Sequence, residues 1–349
     1  MAKKVLFRNE TNNGFYEERP IDEELFKIEP EFFKNELDDN AHVALCDPFG
    51  MFFVDGDVNT KPYYYMRHAL INMYRFGGVI ELGDSFLDVQ KKGDCADFHQ
   101  RGEITDIYRK REDENGSFVY GFGTEEPYSK FRFYNDHATF EEGKDVLNLT
   151  AKYVLNGIID HQASFGNLPQ VMIPCIFEGS YRGNDVKGMG MYAMNYQLAT
   201  HHESILASLG YISLTLMGER EDGRIEAAFI AMDQTGTCGA WYKIDGEPLV
   251  SATEVSMEAD WYRLPYVDDG TCIFKDAIFR FAGKEIHFEG KWGTKGVSEQ
   301  PKLDKHGQSH IIGSWYEGSE PYRHTNFFTF SENMEAYDYK LEKMGFDIK

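Results

Sequence analysis

Apolar and polar residues alternate with a period of two through most of this chain. From Gly77 onward the runs are short: GGVIEL, SFLDVQ, ITDIYRKRE, SFVYGFG, KFRFYN, ATFEE and VLNLTAKYVLNGII, separated by Gly, Asp, Asn and Pro clusters. Successive side chains on a strand point to opposite faces, so this period with turn residues between runs predicts antiparallel strands in a sandwich or barrel. The pattern returns in the second half as YISLTLMGE, RIEAAFIAMDQ, GAWYKIDGE, LVSATEVSMEADW, CIFKDAIFRFAG, KEIHFEGKW, SHIIGSWYEG and HTNFFTFSE. Turns are expected at Glu221-Asp222-Gly223, Asp245-Gly246, Asp268-Asp269-Gly270 and Ala282-Gly283, where Gly supplies positive φ. HVALC and MFFV, on either side of Asp47-Pro48-Phe49-Gly50, read as two strands and a turn, and REDENG at Arg111 to Gly116 reads as a hairpin tip. The stretch from Tyr63 to Tyr74 satisfies neither period. Helix is expected in small amounts, at Asp22 to Leu37 with a break at Pro30, between Gln197 and Leu209, and between Asn333 and Met344.

The centre of the chain, Phe177 to Trp241, organises the rest. FEGSYR and KGMGMYAMNY flank Gly183-Asn184-Asp185, which reads as a tight hairpin turn. In the second strand, Met189, Met191, Ala193 and Asn195 share one face, and Gly190, Tyr192, Met194 and Tyr196 share the other. The pattern predicts an N-terminal arm (1–40), a first β domain (41–190) and a second (191–349), with 294–309 as an exposed loop.

Composition narrows the partners. The 349 residues include 42% hydrophobic and 27% charged, with 27 Phe, 21 Tyr and 4 Trp, an aromatic load suited to sheets and ligand cavities. A net charge of -22 repels phosphate backbones and anionic lipid, which argues against nucleic acid and membrane partners. The 5 cysteines form no CxxC or CxH cluster and read as free thiols of a reducing compartment. With no apolar run long enough for a bilayer and no apolar leader after Met1, the expectation is a cytoplasmic protein, with homo-oligomer formation left open. No glycine-rich nucleotide loop is present, since Gly188-x-Gly190 opens no βαβ unit.

From VLNLTAKYVL through IFEGSYRGNDVKGMGMY, LTLMGEREDGRIEAAFIA and GAWYKIDGEPL to EVSMEADW, the order of features resembles the double calycin proteins related to hydroxyneurosporene synthase (carotenoid 1,2-hydratase) and kievitone hydratase. The likeness covers roughly 150–265. It implies a mainly β fold of two lipocalin-like antiparallel barrels packed together, with the arm laid across them. It also implies an enzyme that acts on a small hydrophobic cyclic, phenolic or isoprenoid-like molecule by proton transfer: a hydratase, dehydratase or isomerase. One departure stands out, because Ala193-Met194-Asn195-Tyr196 occupies the place where such proteins carry His and Trp.

Candidate chemistry follows from residue type. His201, His202 and Glu203 include the adjacent histidines of the chain and offer an acid/base pair, or a solvated pair at a helix start. Tyr192, Met194, Tyr196 and Trp241 are the candidate pocket wall, or ordinary barrel core and rim, and Glu178 and Asp233 sit in apolar strand contexts where a buried carboxyl would hold its proton more tightly, or close to turns where it stays solvated. His310, Trp315, Tyr316, Tyr322, Arg323 and His324 form a second polar and aromatic group. Alternation sets His310 and Trp315 on opposite faces. No cofactor is required by any motif. A divalent metal held by His310 and His324 with Glu317 or Glu178 is a weaker option, since no metal-ligand spacing such as HExxH is present. Two other readings remain: a hydrolase that cleaves a carbon–carbon bond of a cyclic diketone, and a carrier of a hydrophobic ligand.

Overall fold

The computed structural model describes residues 3–8, 16–22, 25, 42–70, 74–89, 108–114, 117–124, 128–160, 170–198, 211–234, 236, 238–295 and 309–349. Twenty-two strands and one helix lie among these residues. The arm contributes β1 (Lys4–Arg8) and β2 (Tyr16–Arg19). The first sheet follows: β3 (His42–Val54), β4 (Tyr63–Leu70), β5 (Tyr74–Leu82), β6 (Tyr108–Glu114), β7 (Ser117–Thr124), β8 (Ser129–Phe133), β9 (His137–Glu142), β10 (Leu147–Tyr153), β11 (Gly157–Asp160), β12 (Gln170–Tyr181) and β13 (Asn184–Leu198). The second comprises β14 (Tyr211–Glu219), β15 (Ile225–Asp233), β16 (Cys238–Ile244), β17 (Val250–Ala252), β18 (Glu254–Arg263), β19 (Cys272–Phe281), β20 (Lys284–Lys295), β21 (Ser309–Glu317) and β22 (Asn326–Met334), before α1 (Asp338–Met344).

All the pairings between these described strands are antiparallel. The first sheet runs β6-β7-β8-β9-β10-β12-β13-β3-β4-β5, with β11 beside the other end of β12. The second runs β1-β18-β19-β20-β21-β22-β14-β15-β16-β17. Because β17 leads through the single residue Thr253 into β18 and β16 contacts β18, the sheet curls so that its last strands return beside its first ones. The arm touches both sheets, since β1 pairs with β18 and β2 with β11. A short pairing of β5 with β20, Leu82 opposite Thr294, joins them again.

Each sheet wraps its own core, and a third apolar layer lies between them. Phe52, Tyr65, Phe133, Phe140, Phe177 and Tyr192 pack within the first. Leu214, Ile230, Tyr242, Met257, Trp261 and Trp315 pack within the second. The alternate faces meet in between, where Met51, Tyr64, Met189 and Met191 of the first unit face Met217, Phe229, Trp241, Phe328 and Phe330 of the second. The period-two pattern is therefore used twice on the strands at the contact, with one face inward to a core and the other toward the partner sheet.

Several local expectations shift. The central hairpin turns at Arg182-Gly183, one residue earlier than read, with φ of 50° and 79°, and Tyr181 pairs with Asn184. A two-residue turn of this hand needs positive φ at both central positions, so Gly takes the second and Arg182 is drawn into the left-handed region. Ala282-Gly283 makes the same turn, with φ of 44° and 80°. The ambiguous stretch after Tyr63 is strand β4. SFLDVQ is not a strand over its described residues, because Asp84 and Asp88 close a loop through the Asp84 backbone N–H at 3.1 Å from the Asp88 carboxylate. Asn333 and Met334 end β22, and the expected helix starts later, at Asp338. The helical readings at 26–37 and 199–209, the tip of the 111–116 hairpin and most of the 294–309 loop lie outside the described residues.

Candidate active site

Strand β15 reads IEAAFIAMD and is buried along its whole length. Ile225, Ala227, Phe229 and Ala231 face the layer between the sheets, while Ala228, Ile230 and Met232 face the core of the second unit. Glu226 shares the parity of the inward set, so alternation carries a carboxylate into an apolar barrel. Such a charge is tolerated only when hydrogen bonds replace water.

Four donors do so. Glu226 Oε1 accepts from His324 Nε2 at 2.7 Å and from the Tyr322 hydroxyl at 2.5 Å. Oε2 accepts from the Tyr242 hydroxyl at 2.5 Å and from Arg220 Nη2 at 2.8 Å. Tyr242 reaches it because Glu226 pairs with Ile244 and Ala228 with Tyr242, which makes Tyr242 the diagonal same-face neighbour. Arg220 leaves the end of β14, and Tyr322 and His324 come from the loop between β21 and β22. The Arg220 guanidinium also lies over the Tyr322 ring, 4.8 Å from its centroid.

The charge states follow. Burial alone would raise the Glu226 carboxyl, but hydrogen bonds from His324, Arg220, Tyr242 and Tyr322 outweigh it and hold the group at about 2. Burial, reinforced by the neighbouring carboxylate, pushes the Tyr242 and Tyr322 phenols up, so both stay protonated as donors. Burial disfavours the Arg220 cation, yet its bond to Glu226 leaves it raised. Glu226 is thus a fixed anion, and an anion only accepts, so His324 Nε2 carries a proton. His324 Nδ1 has no hydrogen-bond partner among the described residues.

His324, Tyr322 and Trp315 line a cavity of about 1140 Å³ whose other walls include Phe288, Trp292, Tyr316, Phe327 and the charged Glu258, Asp276, Lys291 and Arg323. Drug-sized ligands occupy pockets of roughly 300–1,000 Å³, so there is room for a ring system. An imidazole anchored through Nε2–H by a carboxylate at the wall of such a space is equipped to take a proton from a bound molecule and return it.

The second polar and aromatic group of the sequence is largely assembled here. Trp315, Tyr316, Tyr322, Arg323 and His324 all line the cavity. His310 does not: it packs edge-on to Phe330 with centroids 5.0 Å apart and lies 3.5 Å from Glu332. The alternation that separates it from Trp315 holds, with Trp315 in the second core and Phe330 in the intervening layer. Glu178 is a surface group, with its side chain 63% exposed and 3.4 Å from Lys187, because its position on β12 faces away from the first core. Glu317 lies 3.6 Å from Lys284 and 3.8 Å from Arg220. His310, His324, Glu317 and Glu178 therefore serve different partners, and among the described residues no three His, Cys, Asp or Glu side chains gather as metal ligands.

Two of the residues read as pocket wall or core, Tyr192 and Trp241, are core residues. Tyr192 is buried in the first core, stacked on Phe133 with centroids 4.2 Å apart. Trp241 is fully buried in the layer between the sheets, and neither residue borders the cavity. Asp233 is buried at the end of β15. His201, His202 and Glu203 lie outside the described residues, as do the side chains of Met194 and Tyr196.

Glu226, Arg220 and Tyr242 belong to no motif of the sequence. Glu226 had a readable signal as the charged residue inside IEAAFIAM, in a strand otherwise apolar on both faces.

Among the described residues, no helix is long and apolar enough to cross a membrane. No protein-family model and no curated protein matches the sequence. Solved structures similar to this chain include an AttH protein from Nitrosomonas europaea, with TM-score 0.48 and 10% identity over 88% of this chain and 96% of that one. CghA with Sch210972 has TM-score 0.44 and 12% identity over 96% and 99%. Kievitone hydratase from Nectria haematococca has TM-score 0.36 and 9% identity over 86% and 89%. At these identities and TM-scores the comparisons carry no activity to this chain, and activity rests on the site itself.

Proposed function

We propose that this chain is an enzyme that moves a proton on a small ring-bearing molecule, as a hydratase, dehydratase or isomerase does, with His324 as the general base. The observation that carries this reading is the His324–Glu226 pair at the wall of a cavity large enough for the substrate. A proton from a polarised C–H or from water passes to Nδ1, and the imidazolium formed lies against the Glu226 carboxylate. Return of that proton to another position of the molecule closes the cycle. General-base help of this kind is worth about 10²–10⁴ in rate. The aromatic walls suit a ring, and the charged groups among them suit one that bears polar substituents. A passive carrier has no need of a buried carboxylate to orient an imidazole, which favours the enzyme over the carrier.

The test begins with mass spectrometry of small molecules that remain bound to the purified chain. Each is then incubated with wild type and His324→Gln in deuterated water. Deuterium uptake or conversion by wild type, reduced at least about 100-fold in the variant, is expected. Equal rates in the two proteins refute His324 as the base.

A further inference from the structure

His324 is held by more than its bond to Glu226. In the ladder of β14 and β15, Gly218 stands directly opposite Glu226. Residues directly opposite one another project to the same face of a sheet, so a side chain at 218 would stand beside the carboxylate. There is none, and the imidazole occupies the space. A Cβ added at Gly218 would fall 2.1 Å from His324 Cδ2 and 2.2 Å from Nε2, well inside contact distance. The φ of Gly218 is not positive, so the backbone conformation does not demand glycine there. The demand comes from the ring above it.

Trp315 also borders this ring. Its indole lies 4.8 Å from the imidazole, centroid to centroid, at 33°. The indole is fixed in turn, because Nε1 donates to the Met217 carbonyl at 2.9 Å, one residue before Gly218. Strand β14 thus supplies both the bare backbone beneath the imidazole and the anchor for the indole beside it. Tyr322 adds no competing proton exchange toward the cavity: its hydroxyl donates to Glu226 and accepts from Arg220 Nη2 at 2.9 Å and from the Glu317 backbone N–H at 3.1 Å.

We infer that Gly218 and Trp315 are positioning residues that hold His324 in its Nε2–H form against Glu226 and leave Nδ1 for the cavity. This deepens the proposed reading and rests on it for its catalytic meaning, but its geometry can be tested without a substrate. Neither residue is a proton carrier. Both act through the imidazole, as outer groups do when they set the tautomer and orientation of a functional histidine.

The experiment is nitrogen and proton NMR of the full chain labelled at histidine. Wild type should show one histidine with a protonated Nε2, an unprotonated Nδ1 and a slowly exchanging, downfield Nε2 proton that His324→Gln abolishes. Gly218→Ala should lose that resonance because its methyl takes the place of the ring. Trp315→Phe keeps a flat ring but loses the bond to Met217, and should broaden the signal and speed its exchange at least tenfold. If Gly218→Ala does not fold, Trp315→Phe decides alone. Retention of the wild-type signal in either folded variant overturns the inference, as does a wild-type His324 protonated at Nδ1. Failure of His324→Gln to affect turnover, with the NMR result as expected, would instead count against the proposed reaction and leave the positioning intact.

Discussion

The buried carboxylate makes a quantitative statement about acid stability. Glu226 binds its proton at about 2 in the folded chain against an ordinary value of 4.5. Each tenfold difference in proton affinity is worth ~1.4 kcal/mol, so the ionised form favours folding by about 3 kcal/mol. The sign follows from the direction: a carboxyl depressed on folding stabilises the chain fully above about pH 4.5 and loses that contribution as pH falls toward 2. The linkage relation puts about 2 kcal/mol of the loss between pH 6 and pH 3. Many other carboxylates titrate over the same range, so the perturbation is Glu226→Gln, which keeps the volume and removes the titration. Urea unfolding of wild type and variant at pH 6, 4.5 and 3 gives two curves whose separation isolates this group. Wild type should be the more stable at pH 6, and the gap should shrink by about 2 kcal/mol at pH 3. A gap that stays constant over that range would show that the four donors do not hold the group as an anion, and the assignment of the His324 tautomer would fall with it.

Other outcomes follow from burial, thiol environment and turn geometry. Phe7 of the arm is 5% exposed in the core of the second unit while Leu6 is 53% exposed, so Phe7→Ala should cost about 3–5 kcal/mol in urea unfolding and Leu6→Ala less than about 0.5. Cys175 and Cys272 are buried, with burial pushing the first thiol well up and the second up to about 12. Peptide mapping after iodoacetamide at pH 8 should find both unmodified in the native chain and alkylated after denaturation; native labelling of Cys175 would contradict its burial. Gly183 has φ 79° with open space around it, so Gly183→Ala should cost about 1 kcal/mol through backbone strain alone, read as a lower urea midpoint with the slope unchanged.

Local chemistry made much of the architecture legible. KEIHFEGKW, SHIIGSWYEG and HTNFFTFSE are strands because their alternation matches the pleat, and Ala282-Gly283 turns because glycine pays little for positive φ. Both signals act within a few residues. The polar and aromatic group from Trp315 to His324 was visible for the same reason, since β21, its following loop and the start of β22 keep it together in space. The alternation of Met189 and Met191 against Tyr192 was also readable, though not which face met a second sheet.

Tertiary structure alone decided what these residues do. Tyr192 and Trp241 have the composition of a pocket wall, but the pairing of two sheets turned one into the first core and the other into the layer between them. Glu226 and His324 are separated by 98 positions, and no local rule relates them. They meet because β14 pairs with β15 on one side and β22 on the other, which brings the loop before β22 over Gly218 at the place where an inward carboxylate stands opposite a missing side chain. Periodicity tells which way a side chain points from its own strand. Long-range register determines what it finds there, and register is set by the summed packing of both sheets.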